Sequence, residues 1–329
     1  MIIHLEEKIK KIIEKAWYKK KIIKSLLFLS KIYYYISYLK KNINLKFLRY
    51  KAPIPIIIIG NITAGGTGKT PFTIHITSLL IKIGFKPGII SRGYKSTTKK
   101  NIYVKKGSNV NEVGDEAKLL KECKCPVIIG KNRKISIKSL IKNYNLDIII
   151  SDDGIQHYKI KRDLEIILID GYRLFGNGSF IPIGPLRESI LKLKKANIVI
   201  TNEGNNSLSN FMIKFRYINV INIKNNIKKS LNYFKNKNIY AISGIGNSNK
   251  FFNSIKKNNI NIIKTYKFSD HYKFTKKNLK FTKKIPILMT KKDAVKCNFN
   301  NKMLWYINID IKINKNLVKY IYMLTYKKT

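Results

Sequence analysis

Apolar positions fall into short runs separated by glycine, asparagine and lysine, and the first clean run is Ile56–Ile59. Four isoleucines without polar alternation predict a strand buried on both faces, as in a parallel sheet. A glycine-rich turn follows, and Lys69–Ile83 then carries apolar residues at helical spacing. Further strands are predicted at Pro87–Ser91, Pro126–Gly130, Leu146–Ser151, Leu164–Asp170 and Ala196–Thr201, with helices opening at Val113 and at Asn132-Arg133. A second series, Ile239–Ser243, Ile260–Tyr266 and Pro286–Thr290, has a helix after Gly244–Asn247. Leu304–Ile309 reads as an edge strand, and the tail as a basic helix. Strands alternating with helices predict an α/β fold: a parallel sheet flanked by helices, with a smaller C-terminal α/β part. Residues 207–238 are Asn- and Lys-rich and poorly patterned, and read as a linker or excursion. The expected organisation is therefore 1–51, 52–206, 207–238 and 239–329.

Residues 1–51 stand apart, with fourteen Lys or Arg against three Glu, and end at Ala52-Pro53-Ile54-Pro55. Ile22–Leu39 is long enough to span a bilayer, yet it contains Lys24 and Lys31. Apolar residues, Tyr33–Tyr35 and flanking lysines suit an amphipathic helix lying in a membrane interface. The same pattern also suits a helix packed on the main body, and different faces can serve both. Ile2–Lys21 lacks the uninterrupted apolar core of a cleavable signal peptide.

Composition changes this picture little. The 329 residues carry 66 basic and 18 acidic side chains, a net charge of +48. Such a field favours anionic partners in general. Its lysines run from end to end, however, within an Ile-, Lys- and Asn-rich composition, and no basic patch stands out as a nucleic-acid surface. Three cysteines, Cys123, Cys125 and Cys297, are too few for a disulfide framework, and the Cys-x-Cys pair has no nearby partner for zinc.

The chemistry concentrates after Ile56–Ile59. Strand, glycine loop and helix in that order build a phosphate cradle, in which loop amides and the helix N-terminus face an anion. Thr63, Ala64, Gly65, Gly66, Thr67, Gly68, Lys69 and Thr70 form this loop, with Thr63 where G-x-x-x-x-G-K-[ST] has its first glycine. Lys69 is expected to reach the β/γ-phosphates and Thr70 to ligate Mg²⁺. Leu146–Ser151 runs into Asp152-Asp153-Gly154, the arrangement in which a carboxylate at a strand end holds Mg²⁺. Arg92, in Ser91–Tyr94, follows a strand at the edge where open α/β sheets bind ligands. Asp115 and Glu116 open a helix, where acids suit the dipole. The Gly/Pro-rich loop Gly176–Glu188 suits a substrate site.

Together these pieces resemble the tetraacyldisaccharide 4'-kinase (lipid A 4'-kinase) family. The likeness is carried by GNITAGGTGKTP (Gly60–Pro71), SRGY (Ser91–Tyr94), VGDE (Val113–Glu116), DDGIQH (Asp152–His157) and RDLEIILID (Arg162–Asp170). GNGSFIPIGPLRE (Gly176–Glu188), GIGN (Gly244–Asn247), FSDHY (Phe268–Tyr272) and TKKDAVK (Thr290–Lys296) continue it, so that it covers roughly residues 45–310 in order. Lys95, Ala117, Ser189, Ser248 and Lys291 depart from the family's usual residues beside these motifs.

The resemblance implies a P-loop fold and transfer of the ATP γ-phosphate to the 4'-hydroxyl of tetraacyldisaccharide 1-phosphate, giving lipid IVA. It also implies peripheral attachment to the cytoplasmic face of the inner membrane. By the same resemblance Asp115 acts as the base, paired with His271, while Thr70, Asp152 and Asp153 surround Mg²⁺. Arg92, Arg133 and Arg187 become candidates for phosphate or substrate contact, and Tyr94, Glu116, His157 and Glu188 further substrate-side candidates. ATP and Mg²⁺ are the expected cofactors, with no nucleic acid and no obligate protein partner. A different P-loop kinase, acting on another acceptor, is the competing expectation.

Overall fold

Strand β1 (Ile56–Gly60) lies fully buried inside a 13-stranded sheet, hydrogen-bonded in parallel to two neighbours. The computed structural model describes residues 12–13, 16–18, 27–204, 207–279, 281, 285–297, 299 and 301–326. The isoleucines of β1 alternate between two cores. Ile57 and Ile59 pack with Phe72, Ile76 and Leu80 of the helix Lys69–Lys82, and with Leu317 of the helix Lys315–Tyr326. Ile56 and Ile58 pack on the other face with Ile137 and Leu140 of the helix Arg133–Asn143. A strand covered on both faces needs no polar alternation, which explains the unbroken run.

The first series comprises β2 (Pro87–Ser91), β3 (Ile102–Tyr103), β4 (Val127–Ile129), β5 (Ile148–Asp152), β6 (Leu164–Asp170) and β7 (Ile198–Asn202). These lie in the order β7-β6-β1-β5-β2-β4-β3, parallel except for β3. The predicted strands match these bounds to within about two residues, the usual fray of strand ends.

The stretch expected as a linker contains the longest strand of the sheet, β8 (Phe211–Asn222), followed by β9 (Lys228–Ser230). Residues Phe211–Ile213 of β8 pair in parallel with β7. Residues Lys214–Asn222 then pair antiparallel with β13 (Leu304–Lys312). Beyond β13 come β12 (Ile287–Thr290), β10 (Asn238–Ser243) and β11 (Asn261–Lys267), so both series share one continuous sheet. β8 was illegible because its alternation breaks where Ile218 is exposed and Asn219 and Asn222 are buried. Leu304–Ile309 is accordingly an interior strand, contrary to the edge expected. Its neighbour β8 was the element the pattern hid.

The N-terminal helix spans Leu27–Phe47, while 22–26 of the predicted amphipathic stretch lie outside the described residues. Ser30 and Asn44 are its buried residues. Ser30 Oγ donates to Phe180 O at 2.6 Å, and the Tyr34 ring lies 4.8 Å from that of Phe180. Phe28, Ile32, Tyr35, Ile36, Leu39, Ile43 and Phe47 remain exposed on the rest of the helix. Among the described residues, no helix is long and apolar enough to cross a membrane.

Candidate active site

The loop between β1 and the helix Lys69–Lys82 is shaped at Gly68, which has φ +89° and caps the helix. A Cβ there would stand 2.6 Å from the Phe215 ring of β8, so glycine is required both for conformation and for space. Gly65 and Gly66 are exposed, while Thr63 and Thr67 are buried. The first-glycine position tolerates Thr63 because it forms a bridge to Leu186, and the next amide, Ala64 N–H, donates to Pro185 O at 2.6 Å. The loop is thus stapled to Gly184-Pro185-Leu186-Arg187. Lys69 Nζ donates to Asn61 Oδ1 at 3.1 Å and lies 3.6 Å from Asp153.

Strand β5 delivers Asp152 and Asp153 next to this loop. Asp152 is completely buried and accepts from Thr73 Oγ1 at 2.9 Å and Thr70 Oγ1 at 3.4 Å. Burial, reinforced by the charges of Glu116 and Asp153, pushes its carboxyl up to about 7. Asp153 adopts φ +47° and faces Lys69 and Arg187, the latter at 3.4 Å. Burial opposes its ionisation, but Lys69, Arg187 and Arg133 outweigh burial and hold it well below the usual carboxylate range.

The arginines divide by environment. Arg92 is exposed. Arg187 pairs with Asp153, at the site's edge. Arg133, expected to touch substrate, is instead 2% exposed, with its guanidinium consumed behind the acidic turn. It donates to Ser151 Oγ and, at 2.9 Å each, to the carbonyls of Asp152 and Asp153. Burial lowers it to about 10, so it stays charged at neutral pH. His157 is held to about 3 by burial and by Arg133 and Arg162, so its ring is neutral. Glu188 lies 3.8 Å from Lys41 of the N-terminal helix, and burial raises its carboxyl.

Asp115 and Glu116 start the helix Asp115–Leu120. The preceding Gly114 has φ +88°, and a Cβ on it would meet the Tyr94 carbonyl oxygen at 2.6 Å. VGDE therefore sits directly against SRGY. His271 Nδ1 lies 2.8 Å from both carboxylate oxygens of Asp115, and the Tyr94 ring stands edge-on to the imidazole at 5.0 Å. Asp115 is buried, yet the His271 hydrogen bond and Lys292 hold its carboxyl below the usual range. Lys292 Nζ donates to Glu116 Oε1 at 3.0 Å.

A cleft of about 490 Å³ runs from Gly66–Thr70 to Glu116, Asp270 and Lys292, with Phe215 and Gly246 on its far wall. The two series of strands thus face one another across it. Several contributors were missed by sequence reasoning. Arg173 donates to Asp170 Oδ2 at 2.8 Å, to Gly66 O, and to Gly246 O at 3.4 Å, tying the phosphate loop to the GIGN turn. Gln156 Nε2 donates to Asn61 O at 3.0 Å, behind Lys69. Arg173 lies in the short stretch 171–175 between two quoted motifs, with no spacing signal to single it out.

Comparison with known proteins follows this geometry. The profile of the family described as tetraacyldisaccharide-1-P 4'-kinase, LpxK, matches residues 22–325. A tetraacyldisaccharide 4'-kinase from Ruthia magnifica subsp. Calyptogena magnifica is 42% identical over 301 residues, 90% of this chain and 95% of that protein. The corresponding protein of Shewanella frigidimarina is 37% identical and covers 92% of both chains. LpxK from Aquifex aeolicus, solved in complex with ATP, superposes with TM-score 0.78 at 26% identity, covering 92% of this chain and 99% of that one. Ordered motifs, a shared fold and near-complete coverage agree: the chain belongs to the tetraacyldisaccharide 4'-kinase family.

Proposed function

We propose that this chain transfers the γ-phosphoryl group of ATP to the 4'-hydroxyl of a tetraacyldisaccharide 1-phosphate, giving the 1,4'-bisphosphate lipid IVA. The observation that carries this reading is the Asp115–His271 pair: it lines a pocket of its own, while its chain neighbours Glu116 and Asp270 line the cleft of Lys69 and Thr70. A sugar hydroxyl is a poor nucleophile, and a carboxylate at its proton assists attack. As the new O–P bond forms and the bond from phosphorus to the β-phosphate oxygen breaks, the hydroxyl proton passes to Asp115 and ADP leaves. His271 orients that carboxylate.

Lys69 and the loop amides steady the β/γ-phosphates. The donor set of Thr70, Asp152 and Asp153 fits Mg²⁺: the fully buried Asp152 carboxylate lies beside the Thr70 hydroxyl and has no ion-pair partner within 4.0 Å among the described residues. Held there, Mg²⁺ would neutralise charge on the phosphate oxygens. Arg92, Tyr94, His157 and Glu188 remain substrate-side candidates, and Arg187 is close enough to Asp153 to exchange that partner for an anionic oxygen. Arg133 acts through the Asp152-Asp153 backbone.

The exposed face of Leu27–Phe47 supports attachment to a membrane surface, with its lysines toward anionic headgroups. The opposite face docks on Phe180, so both roles expected of this helix are compatible. Purified protein with Mg²⁺-ATP and detergent-dispersed tetraacyldisaccharide 1-phosphate should yield product phosphorylated at the 4'-position. ATP turnover with that acceptor untouched would instead assign a P-loop kinase of another specificity.

A further inference from the structure

Lys292 makes three contacts, and an ammonium can only donate. Its Nζ lies 3.0 Å from Glu116 Oε1, 3.3 Å from Asp270 Oδ1 and 3.4 Å from His271 Nε2. Burial alone would favour losing its proton, but Glu116, Asp270 and Asp115 outweigh burial and hold Lys292 above the usual lysine range. The side chain is therefore charged. Against such a donor, Nε2 of His271 serves as the acceptor, which leaves the ring proton on Nδ1. That nitrogen is the one facing both oxygens of Asp115 at 2.8 Å. The opposite tautomer would need Asp270 Oδ2 as acceptor for Nε2–H. At 3.5 Å that contact is no shorter than the one from Lys292, and an Nε2 proton would face an ammonium that can only donate.

We propose that Lys292 is a positioning residue for phosphoryl transfer: by donating to Nε2 it holds His271 as the neutral Nδ1–H tautomer, so that His271 donates to Asp115. This rests on the reading of Asp115–His271 as the pair that activates the acceptor. One carboxylate oxygen then receives the imidazole proton in a hydrogen bond, and the other is free to take the proton of the sugar hydroxyl.

Placement supports the role. Lys292 is the second residue of a short helix, Lys291–Ala294, whose start is fixed by Thr290 Oγ1 accepting from Asp293 N–H at 3.1 Å. Asp293 is fully buried and accepts from Gly244 N–H at 3.0 Å, anchoring this turn to the GIGN loop. Glu116 comes from the other half of the cleft, so Lys292 clamps His271 and the Asp115 helix into one unit. The charge acts as well as the geometry. His271 faces Asp115, Asp270 and Lys292, with Glu116 and Lys296 nearby and the uncharged Tyr94 ring at its edge. The Lys292 ammonium also lowers the Asp115 carboxyl, which keeps that carboxylate ionised at lower pH.

The test uses the full-length protein with ¹⁵N-labelled histidine. Its four histidines give ring signals that distinguish the tautomers, and His271→Asn identifies the relevant one. The wild-type protein should report Nδ1–H at His271; an Nε2–H tautomer there overturns the proposal without any Lys292 variant. In Lys292→Met the ring should lose its preference for the Nδ1–H tautomer. Its kcat should fall about 10²-fold, the cost of misplacing a reacting group by about 1 Å. The acid limb of the kcat profile should move up by about one pH unit, with KM for ATP little changed. Lys292→Arg, which keeps charge and donors, should recover part of kcat. An unchanged tautomer and pH profile in Lys292→Met overturn the proposal, as does a loss confined to KM for ATP, which would mark a nucleotide contact. If neither Asp115→Asn nor His271→Asn lowers kcat, the underlying reading of the pair fails; if both do while Lys292→Met changes nothing, only the role of Lys292 fails.

Discussion

Nδ1 of His271 stands 2.8 Å from each carboxylate oxygen of Asp115, a residue 156 positions earlier in the chain. Asp115 comes from a helix start beside SRGY, and His271 from the loop after β11, where it adopts φ +65°. A non-glycine residue in that conformation is held by its surroundings, and such positions concentrate at functional sites.

This pairing predicts the effect of Asp115→Asn. The amide keeps the shape but cannot take a proton, so kcat should fall about 10²–10⁴-fold. KM for ATP should change little. Steady-state kinetics with both substrates varied check this, and loss of ATP binding would move Asp115 to the nucleotide site.

Gly114→Ala should disturb the same pair indirectly. Its φ of +88° disfavours a side chain, and the new Cβ would sit 2.6 Å from the Tyr94 carbonyl oxygen. Backbone cannot swing aside as a flexible side chain would. A cost of about 1–3 kcal/mol is expected, measured by urea denaturation, and turnover should fall as Asp115 moves away from His271.

Arg133→Met should reveal a supporting role in place of a substrate contact. Removing the guanidinium leaves the Asp152 and Asp153 carbonyls and the Ser151 hydroxyl without their donor. Each unsatisfied buried group costs about 1–3 kcal/mol, so a loss of at least about 2 kcal/mol is expected. Calorimetry checks it. A fully stable variant with weakened acceptor binding would return Arg133 to the substrate site.

Acid should weaken the fold through His157. Its folded pKa of about 3 lies below the ordinary 6.5, because burial and neighbouring cations disfavour the charged ring. Below pH 6.5 the unfolded chain takes up a proton that the folded ring resists until about 3. Stability therefore falls on acidification through that window, by at most about 1.4 kcal/mol per pH unit. Partial exposure of the ring reduces that slope. Denaturation curves at several pH values should be flatter for His157→Gln. Asp115 adds the depressed-carboxylate pattern: its contribution is full above its ordinary 3.8 and disappears as pH falls further.

Membrane attachment predicts that Phe28→Ser with Ile36→Ser weakens binding to anionic vesicles. Both side chains are exposed, at 59% each, so the fold should hardly notice. Burying a large apolar side chain contributes about 1.5–3 kcal/mol, and the pair together should lower partitioning more than tenfold. Sedimentation with vesicles tests this. Binding unchanged at equal lipid would assign the helix a packing role alone.

Much of the fold was legible because its strands are buried on both faces. Ile56–Ile59, Ile148–Ile150 and Ile166–Ile169 announce themselves as unbroken apolar runs, and Gly68 and Asp153 mark the turns that follow. Strand β8 did not, since an exposed Ile218 and buried Asn219 and Asn222 break its alternation. Arg133 was expected at the substrate because the family resemblance made it a candidate for phosphate or substrate contact. Its burial behind β5 depends on the packing of two elements whose distance no local pattern reports.

The sequence by itself determined the phosphate loop, the acidic turn after β5, the alternation of strand and helix, and the ordered motifs of the family. Those features are local: a glycine at positive φ, a capped helix or a doubly buried strand depends on a few neighbouring residues. Only the tertiary structure decided that β8 joins two series of strands into one sheet and that Arg173 fastens the phosphate loop to Gly246. It also decided that Lys292, Glu116 and His271 converge on Asp115. These are charged and polar groups far apart in the chain, brought together by a hydrophobic core that excludes water around them and so makes their few contacts count.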